Sequence, residues 1–537
     1  MGTAISITFS LIQWIAFFLL IIVTYELLRW GVVSFFKRRF MRSVTSFLRK
    51  HGVRFDQYKL TNKLIIKDQL LHDREVSTEI LEESRKKDIP YEEAREIAEQ
   101  YIDEIVPTFN LLSYYKFGYS IANFLLKFLY EVVIDEEAKD EIKELSEDSL
   151  VIYVMNHRSN IDYIVVAFML MENISVSYAV GEWARVFPLE YIFKSFGAYF
   201  IRRNYRDPLY HIILRKYVQL ISRNKVTQGI FLEGGLSRDG RFRPPKTGLL
   251  DYILNETANE SDAENVVFVP VGINYDWILE DKTLISEWKE GKQTMTMGDH
   301  LMSLIRILIK SPYLIIVNSF RAITGRLKEH GYASIKFGSP VKLNDLLNVP
   351  EFEARNEYAE RRRMLKDVAN RLLDKISGVV PVTPVAVVSK TLLQVEGTAI
   401  SKQECIELLN TNLEHLEAKG AQLIMGEDYE HQIKSQHRLE TEKWFRKREL
   451  VQFEEDLLRG DVAEKTLQLA VELLTRRNII KVNQEKILIV PEKRPFLEYY
   501  ANTIRHYFTQ DIPGQNADQP EEKTGQNLTT NAPGKPT

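Results

Sequence analysis

Cysteine is nearly absent from this chain. Cys405 is the single one among 537 residues, which excludes an intramolecular disulfide and a zinc site built from several thiolates. That scarcity suits a reducing compartment. Histidine is sparse as well, at ten residues, and no His-Glu-x-x-His spacing occurs, so a zinc hydrolase of that kind has no support. The net charge is only -3, and bulk electrostatics give no reason to expect a nucleic-acid partner. Glycine and proline are not in excess, at 25 and 18 residues, while 45% of the chain is hydrophobic. Disorder throughout is thereby excluded, and a sizeable core is available. No internal repeat is visible, and the length fits two to four domains.

Long uncharged runs are also few, but one stands at the start. Ala4 to Tyr25 carries no charge over 22 residues and is rich in Ile, Leu and Phe. As a helix it is long enough to cross about 30 Å of hydrocarbon. Arg29, Lys37, Arg38, Arg39 and Arg42 follow it, so the positive-inside bias leaves the bulk of the chain on the cytoplasmic face. A cleaved leader needs charge before the run and a small-residue site after it; neither is present. Leu301 to Phe320 is a second apolar stretch, broken by Arg306, Lys310 and Pro312, and reads as an interfacial helix rather than a span.

The patterning divides the rest. Residues 1–42 form the membrane anchor and its basic flank. Residues 43–148 read as helical: Ser77–Ile105 has Glu and Lys at helical spacing, the mark of a solvated face, and Asn110–Ile134 reads as a core helix or as one lying in the membrane interface. From 149 to 350 short β-branched runs alternate with amphipathic stretches. The runs are Leu150–Met155, Ile174–Val180, Gly197–Ile201, Gly229–Leu232, Val266–Val271 and Ala333–Phe337. This alternation predicts an α/β domain with a mostly buried sheet flanked by helices. Residues 351–510 read as a helical C-terminal domain, with Ser401 and Glu404 at capping-box spacing and one hairpin near Asn483–Val490. Residues 511–537 have no apolar periodicity and read as a disordered tail.

Chemistry concentrates in four places. Asn156-His-Arg-Ser-Asn-Ile-Asp-Tyr163 follows the run Leu150–Met155 directly, so His157 sits at the C-terminal end of a strand, where function gathers in α/β sheets. With a helix starting near Ser159, Asp162 points back at the imidazole, fixing its tautomer, and His157 becomes a general base. The same His-x4-Asp spacing recurs at His51 and Asp56 without a preceding strand, so spacing alone is weak evidence. The second place is Gly197 to Arg203, ending in paired arginines suited to phosphate; read alone, such a pair is as often a salt bridge. The third is Phe231-Leu-Glu-Gly-Gly-Leu-Ser-Arg238, a glycine turn followed by Arg241, Arg243 and Lys246, a cluster that invites an anion. The fourth is Val269 to Tyr275, where Pro270 by itself marks an edge strand.

Taken together and in this order, the four elements resemble the glycerol-phosphate acyltransferase superfamily, and more closely its bacterial sn-glycerol-3-phosphate acyltransferase branch. The matching blocks are Asn156–Tyr163, Gly197–Arg203, Glu233–Arg238 and Pro245–Gly248. The resemblance covers roughly 100–390, with further likeness at Tyr499-Tyr500 and Arg505–Phe508. It implies His157 as general base and Asp162 as its orienting partner. The acceptor hydroxyl then attacks an acyl thioester of coenzyme A or acyl carrier protein, without a covalent acyl-enzyme and without a cofactor or metal. It also implies acceptor binding by Arg203, Glu233, Gly234, Ser237 and Arg238, with Lys246 a further phosphate candidate and Pro270 near the donor. The implied partners are glycerol-3-phosphate, the acyl carrier and membrane lipid, and the implied location in a bacterium is the inner membrane.

One position departs from the pattern: Leu236 stands where the family usually has arginine. Arg241 or Arg243 can compensate, or the acceptor is a lysophospholipid or dihydroxyacetone phosphate. A membrane scaffold that keeps the fold without activity is the non-enzymatic alternative. Gly235-Leu-Ser-Arg-Asp239 begins like a hydrolase elbow but ends in Asp, and Lys246-Thr247 lacks the spacing of a nucleotide-phosphate loop.

Overall fold

Strands form where the β-branched runs predict them, and they join one sheet. The computed structural model describes residues 63–108, most of 126–254, and 265–290, 330–347, 358–424, 462–483 and 485–509. Helices α1 (Lys63–Leu71), α2 (Arg74–Lys87) and α3 (Tyr91–Ile105) come first, followed by β1 (Glu131–Asp135) and β2 (Leu150–Met155). Next are α4 (Asp162–Leu170), β3 (Ser177–Gly181), β4 (Tyr199–Ile201), α5 (Pro208–Arg223) and β5 (Gln228–Phe231). Then come α6 (Gly248–Leu254), β6 (Val266–Tyr275), α7 (Asp281–Glu290), β7 (Tyr332–Phe337) and β8 (Val341–Lys342). The C-terminal part holds α8 (Tyr358–Ser377), α9 (Pro384–Leu392), β9 (Ala399–Ser401), α10 (Lys402–Ala418), α11 (Val462–Arg476), β10 (Ile480–Asn483), β11 (Lys486–Ile489) and α12 (Arg494–Asn502).

The main sheet runs β1-β7-β6-β2-β5-β3-β4, with β8 also paired to β6. Strands β6, β2, β5, β3 and β4 are mutually parallel, and β7 is antiparallel to β6. The ends of β2, β4, β5 and β6 therefore open on one edge. Both faces of the sheet are covered. On β2, Val151, Tyr153 and Met155 face one core, which they share with α9 to α12. Leu150, Ile152 and Val154 face the other, built with α1 to α3, α5, α6 and α8. This two-residue alternation inside a wholly buried strand is why the sequence shows a continuous apolar run rather than a polar face. Each such fully buried Val, Leu or Ile contributes roughly 1.5–3 kcal/mol. Cys405 is free and buried in the first core.

Three expectations change. The stretch taken as helical up to Ile134 ends in β1, where Val132, Val133 and Ile134 stand in succession and pair in parallel with β7; three β-branched residues in a row favour the pleat. Pro270 is not on an edge, since β6 lies between β7 and β2. It is tolerated because β8 pairs with Val267 and Phe268 while β7 begins pairing at Val271. The missing N–H thus falls at the break between the two, and the Pro270 carbonyl accepts from Gly338 N at 2.8 Å. The predicted hairpin is present as β10-β11, and β9 extends it to three strands. The Ser401 hydroxyl caps α10 by accepting from Glu404 N at 3.1 Å. Among the described residues, no helix is long and apolar enough to cross a membrane. The runs Ala4–Tyr25 and Leu301–Phe320, the His51–Asp56 spacing and the 511–537 tail lie outside those residues.

Candidate active site

The chain leaves β2 at Met155 and turns sharply around one carboxylate. Helix α4 begins at Asp162 itself, not near Ser159, so residues 157–161 form a loop that wraps the Asp162 side chain. Its Oδ2 accepts from His157 Nδ1 at 2.9 Å, Arg158 N at 2.7 Å and Ser159 N at 3.0 Å. Its Oδ1 accepts from the Tyr275 hydroxyl at 2.6 Å. Four donors converge on a fully buried carboxylate, which meets the rule that buried charge must be paired and hydrogen-bonded. Because the acceptor is a carboxylate, Nδ1 carries the imidazole proton and Nε2 the lone pair. Among the described residues nothing bonds Nε2.

The ring is held from its sides too. It stacks on Phe231 with centroids 4.0 Å apart and meets the edge of Tyr163 at 5.4 Å. Asn156 spans to the neighbouring strand: its Nδ2 donates to Ile273 O at 2.9 Å and its Oδ1 accepts from Ile273 N at 2.8 Å. The amide thereby continues the β2–β6 ladder one step past the end of β2. Glu280 braces the loop on the far side, accepting from the Ser159 hydroxyl at 2.7 Å and from Asn160 N at 3.1 Å. Burial and the nearby Asp162 charge push the Tyr275 phenol well above its ordinary range, so it stays a donor.

The glycine turn after β5 lies beside this loop. Glu233 is fully buried, and both of its oxygens are taken by main-chain donors: Oε1 accepts from His157 N at 3.1 Å and Oε2 from Arg243 N at 2.8 Å. Burial pushes its carboxyl up while the Arg158 guanidinium pulls it back. Its place is therefore a strut that ties the histidine loop to the cationic loop. Gly234 has φ +66, and a Cβ there would stand 2.7 Å from Lys246 Cγ, so glycine is the residue that lets the lysine stem lie across the turn. Ser237 is buried, its hydroxyl donating to Arg241 O at 2.6 Å and its N–H to His157 O at 3.2 Å.

The cations differ in how committed they are. Arg238 pairs with Glu287 at 3.1 Å and Arg241 lies 3.6 Å from Asp239. Leu236 packs its side chain against the core, and Arg243 Nη1 reaches its carbonyl at 3.4 Å. The Arg243 guanidinium is thus engaged by the main chain at Leu236. Lys246 is exposed, and its ammonium has no carboxylate partner among the described residues. Arg202 is spent on structure: it makes a two-pronged bond to the buried Glu104 at 2.7 and 2.5 Å and lies over the Tyr205 ring. Its neighbour Arg203 is outside the described residues. Pro270 pairs with Val154, one register step short of the end of β2, and is buried between β2 and the Gly338 turn.

The fold thus brings together His157, Asp162, Glu233, Gly234, Ser237, Arg238 and Lys246 on one sheet edge. Sequence reading missed Tyr275 and Glu280, which reach the loop from the end of β6 and just beyond it, and the clamp that Asn156 makes from the end of β2 to Ile273 on β6. Among the described residues no cluster of histidine, cysteine and carboxylates is arranged to hold a metal.

Residues 136–274 match the family model described as acyltransferase, and residues 316–452 match the one described as the glycerol-3-phosphate acyltransferase C-terminal region. The glycerol-3-phosphate acyltransferase of Aeromonas hydrophila subsp. hydrophila is 28% identical over 368 residues, covering 67% of this chain and 43% of that protein. That of Actinobacillus succinogenes is 26% identical over 370 residues, covering 67% and 42%. That of Actinobacillus pleuropneumoniae serotype 3 is 24% identical over 463 residues, covering 84% and 50%. The chain spans about half the length of the curated relatives it matches. Similarity to the crystal structure of the 1-acyl-sn-glycerophosphate (LPA) acyltransferase from Thermotoga maritima is slight, with a TM-score of 0.26 at 19% identity over 47% of this chain and 76% of that one.

Proposed function

Because this chain belongs to the glycerol-3-phosphate acyltransferase family, we propose that it moves a fatty acyl group from an acyl thioester to the sn-1 hydroxyl of glycerol-3-phosphate, giving lysophosphatidate. The observation that carries this reading is the imidazole of His157, pinned at Nδ1 by a four-donor carboxylate with Nε2 unengaged among the described residues, beside an exposed lysine.

The acceptor hydroxyl gives its proton to His157 Nε2 as its oxygen attacks the thioester carbonyl carbon. Asp162 stabilises the imidazolium that forms. The tetrahedral centre then collapses, the C–S bond breaks, and the thiolate takes the proton back from Nε2. An ester and a free thiol result, and the histidine returns to its starting tautomer. Lys246 is the group best placed to receive the phosphate as a point charge. Arg238 and Arg243 assist only by loosening bonds they already make. The donor is acyl-CoA or acyl carrier protein.

The product partitions into lipid, and the acyl chain needs an apolar path. Together with the uncharged run Ala4–Tyr25 and the basic residues that follow it, this supports a membrane-anchored enzyme whose catalytic part faces the cytoplasm. An acceptor panel with one radiolabelled acyl-CoA tests the reading. Glycerol-3-phosphate is expected to outcompete lysophosphatidate and dihydroxyacetone phosphate, and His157→Ala is expected to abolish transfer. Transfer that survives His157→Ala sinks the mechanism, and a strong preference for the lysolipid replaces the acceptor.

A further inference from the structure

The loop between Ser237 and Phe242 has neither helix nor strand, so its carbonyls have no ladder and must be met from elsewhere. Two of the groups that meet them come from α12. Asn502 Nδ2 donates to Asp239 O at 2.8 Å, and the Tyr499 hydroxyl donates to Ser237 O at 3.4 Å. Arg158, on the histidine loop, donates from Nη1 to Gly240 O at 2.8 Å. Gly240 has φ +85, and a Cβ there would stand 2.0 Å from the Tyr499 carbonyl oxygen, so main chain lies against main chain. The Phe242 ring lies between the Arg158 guanidinium at 5.0 Å and the His506 ring at 5.2 Å.

The other side of this segment is anchored. The Tyr500 hydroxyl donates to Asp281 Oδ2 at 2.5 Å and accepts from Ile278 N at 3.1 Å and from Arg477 Nη1 at 2.9 Å. Thr503 accepts from Asn274 Nδ2 at 3.2 Å. These anchors adjoin Tyr275 and Glu280, which brace the Asp162 loop. One rigid segment therefore spans from the end of β6 to the cationic loop, and its residues lie beyond both matched regions, 136–274 and 316–452.

We propose that the C-terminal segment Tyr499–His506 is a positioning element for the phosphate-binding loop, with Asn502 as its positioning residue for acceptor affinity. This rests on the acyltransferase reading above. The amide of Asn502 sets where the main chain at Asp239 runs, and hence where Arg238, Arg241 and Arg243 begin. It touches neither the histidine nor the scissile bond, so its loss acts on acceptor binding and leaves the chemistry in place.

The test uses the full chain with Asn502→Ala, Asn502→Gln and Tyr499→Phe. Loss of one hydrogen bond predicts a rise of about fivefold in KM for glycerol-3-phosphate in Asn502→Ala. Both kcat and KM for acyl-CoA are expected to stay within about twofold. Asn502→Gln keeps the amide donor and is expected to recover most of the loss. Tyr499→Phe, which removes only a hydroxyl, shifts the same constant in the same direction by less and serves if the alanine variant does not fold. Amide hydrogen exchange over residues 237–243 is expected to quicken in Asn502→Ala, and this readout does not depend on activity. A lower kcat with unchanged acceptor KM, or unchanged exchange in the loop, overturns the proposal. A wild-type chain that acylates no acceptor overturns the enzymatic reading instead, and the exchange experiment still judges the contact.

Discussion

Replacing Asp162 by asparagine separates the charge of this residue from its shape. The amide oxygen can take the place of Oδ2 and accept from His157 Nδ1, Arg158 N and Ser159 N, the three donors it now serves. The amide nitrogen then faces the Tyr275 oxygen, which can turn to accept. The loop is expected to keep its path, at a cost of about 1–3 kcal/mol of stability for weakening charge-assisted bonds. The imidazolium, by contrast, loses its counter-charge. Opposite unit charges at the 2.9 Å seen here attract by about 6 kcal/mol at an effective dielectric of about 20. At about 1.4 kcal/mol per tenfold, that is roughly four orders of magnitude in rate. Since the amide dipole returns part of it, the expected fall in kcat is about 10³- to 10⁴-fold, in the range seen when a buried triad aspartate is made neutral. The assay is initial-rate transfer of radiolabelled acyl from acyl-CoA, with circular dichroism and thermal unfolding run on the same samples. A variant that folds and keeps kcat within about tenfold of wild type would refute Asp162 as the partner that stabilises the charged histidine.

Two further outcomes bear on the loop and on the sheet. Lys246→Ala is expected to raise acceptor KM by about tenfold or more while kcat changes little, and Arg238→Ala to do less, because Glu287 already holds that guanidinium; equal effects in initial-rate kinetics would contradict this ranking. Asp276 is buried and accepts from Tyr332 N and Val385 N, and burial pushes its carboxyl up to about 6. An unfolded aspartate titrates near about 3.9, so the folded state binds this proton more tightly and the stability it contributes is present below about pH 4 and lost as pH rises through about 6. The unfolding free energy of wild type minus that of Asp276→Asn, from urea titrations, is therefore expected to fall by roughly 2–3 kcal/mol over that window; a flat or rising difference would contradict the assignment.

Much of the sheet is legible in the chain itself. Leu150–Met155 and Val266–Val271 read as buried strands because both faces of those strands meet apolar cores, and a run of β-branched residues reports burial wherever the partners lie. The place of His157 follows from the same fact, since it stands two residues after the strand ends. The crowd of cations from Arg238 to Lys246 is visible as composition. What composition does not report is commitment: Arg202 has the same charge as Lys246, yet it is bound to Glu104, which is 98 residues earlier in the chain.

Partners, by contrast, are decided by strand order and by the path of the C-terminal helices. Tyr275 reaches Asp162 across 113 residues because β6 lies next to β2. Glu233 reads as an acceptor-binding carboxylate until its two oxygens are found on His157 N and Arg243 N. Asn502 meets Asp239 across 263 residues, and nothing local to either marks the other. Periodicity along a chain records which face of an element is buried, whereas the donor that meets a given oxygen depends on which elements pack side by side. By itself the sequence therefore determined the buried strands, the position of the histidine and the supply of cations. Only the tertiary structure decided which groups hold Asp162, which cation is left exposed, and that the last helix supports the loop beside the histidine.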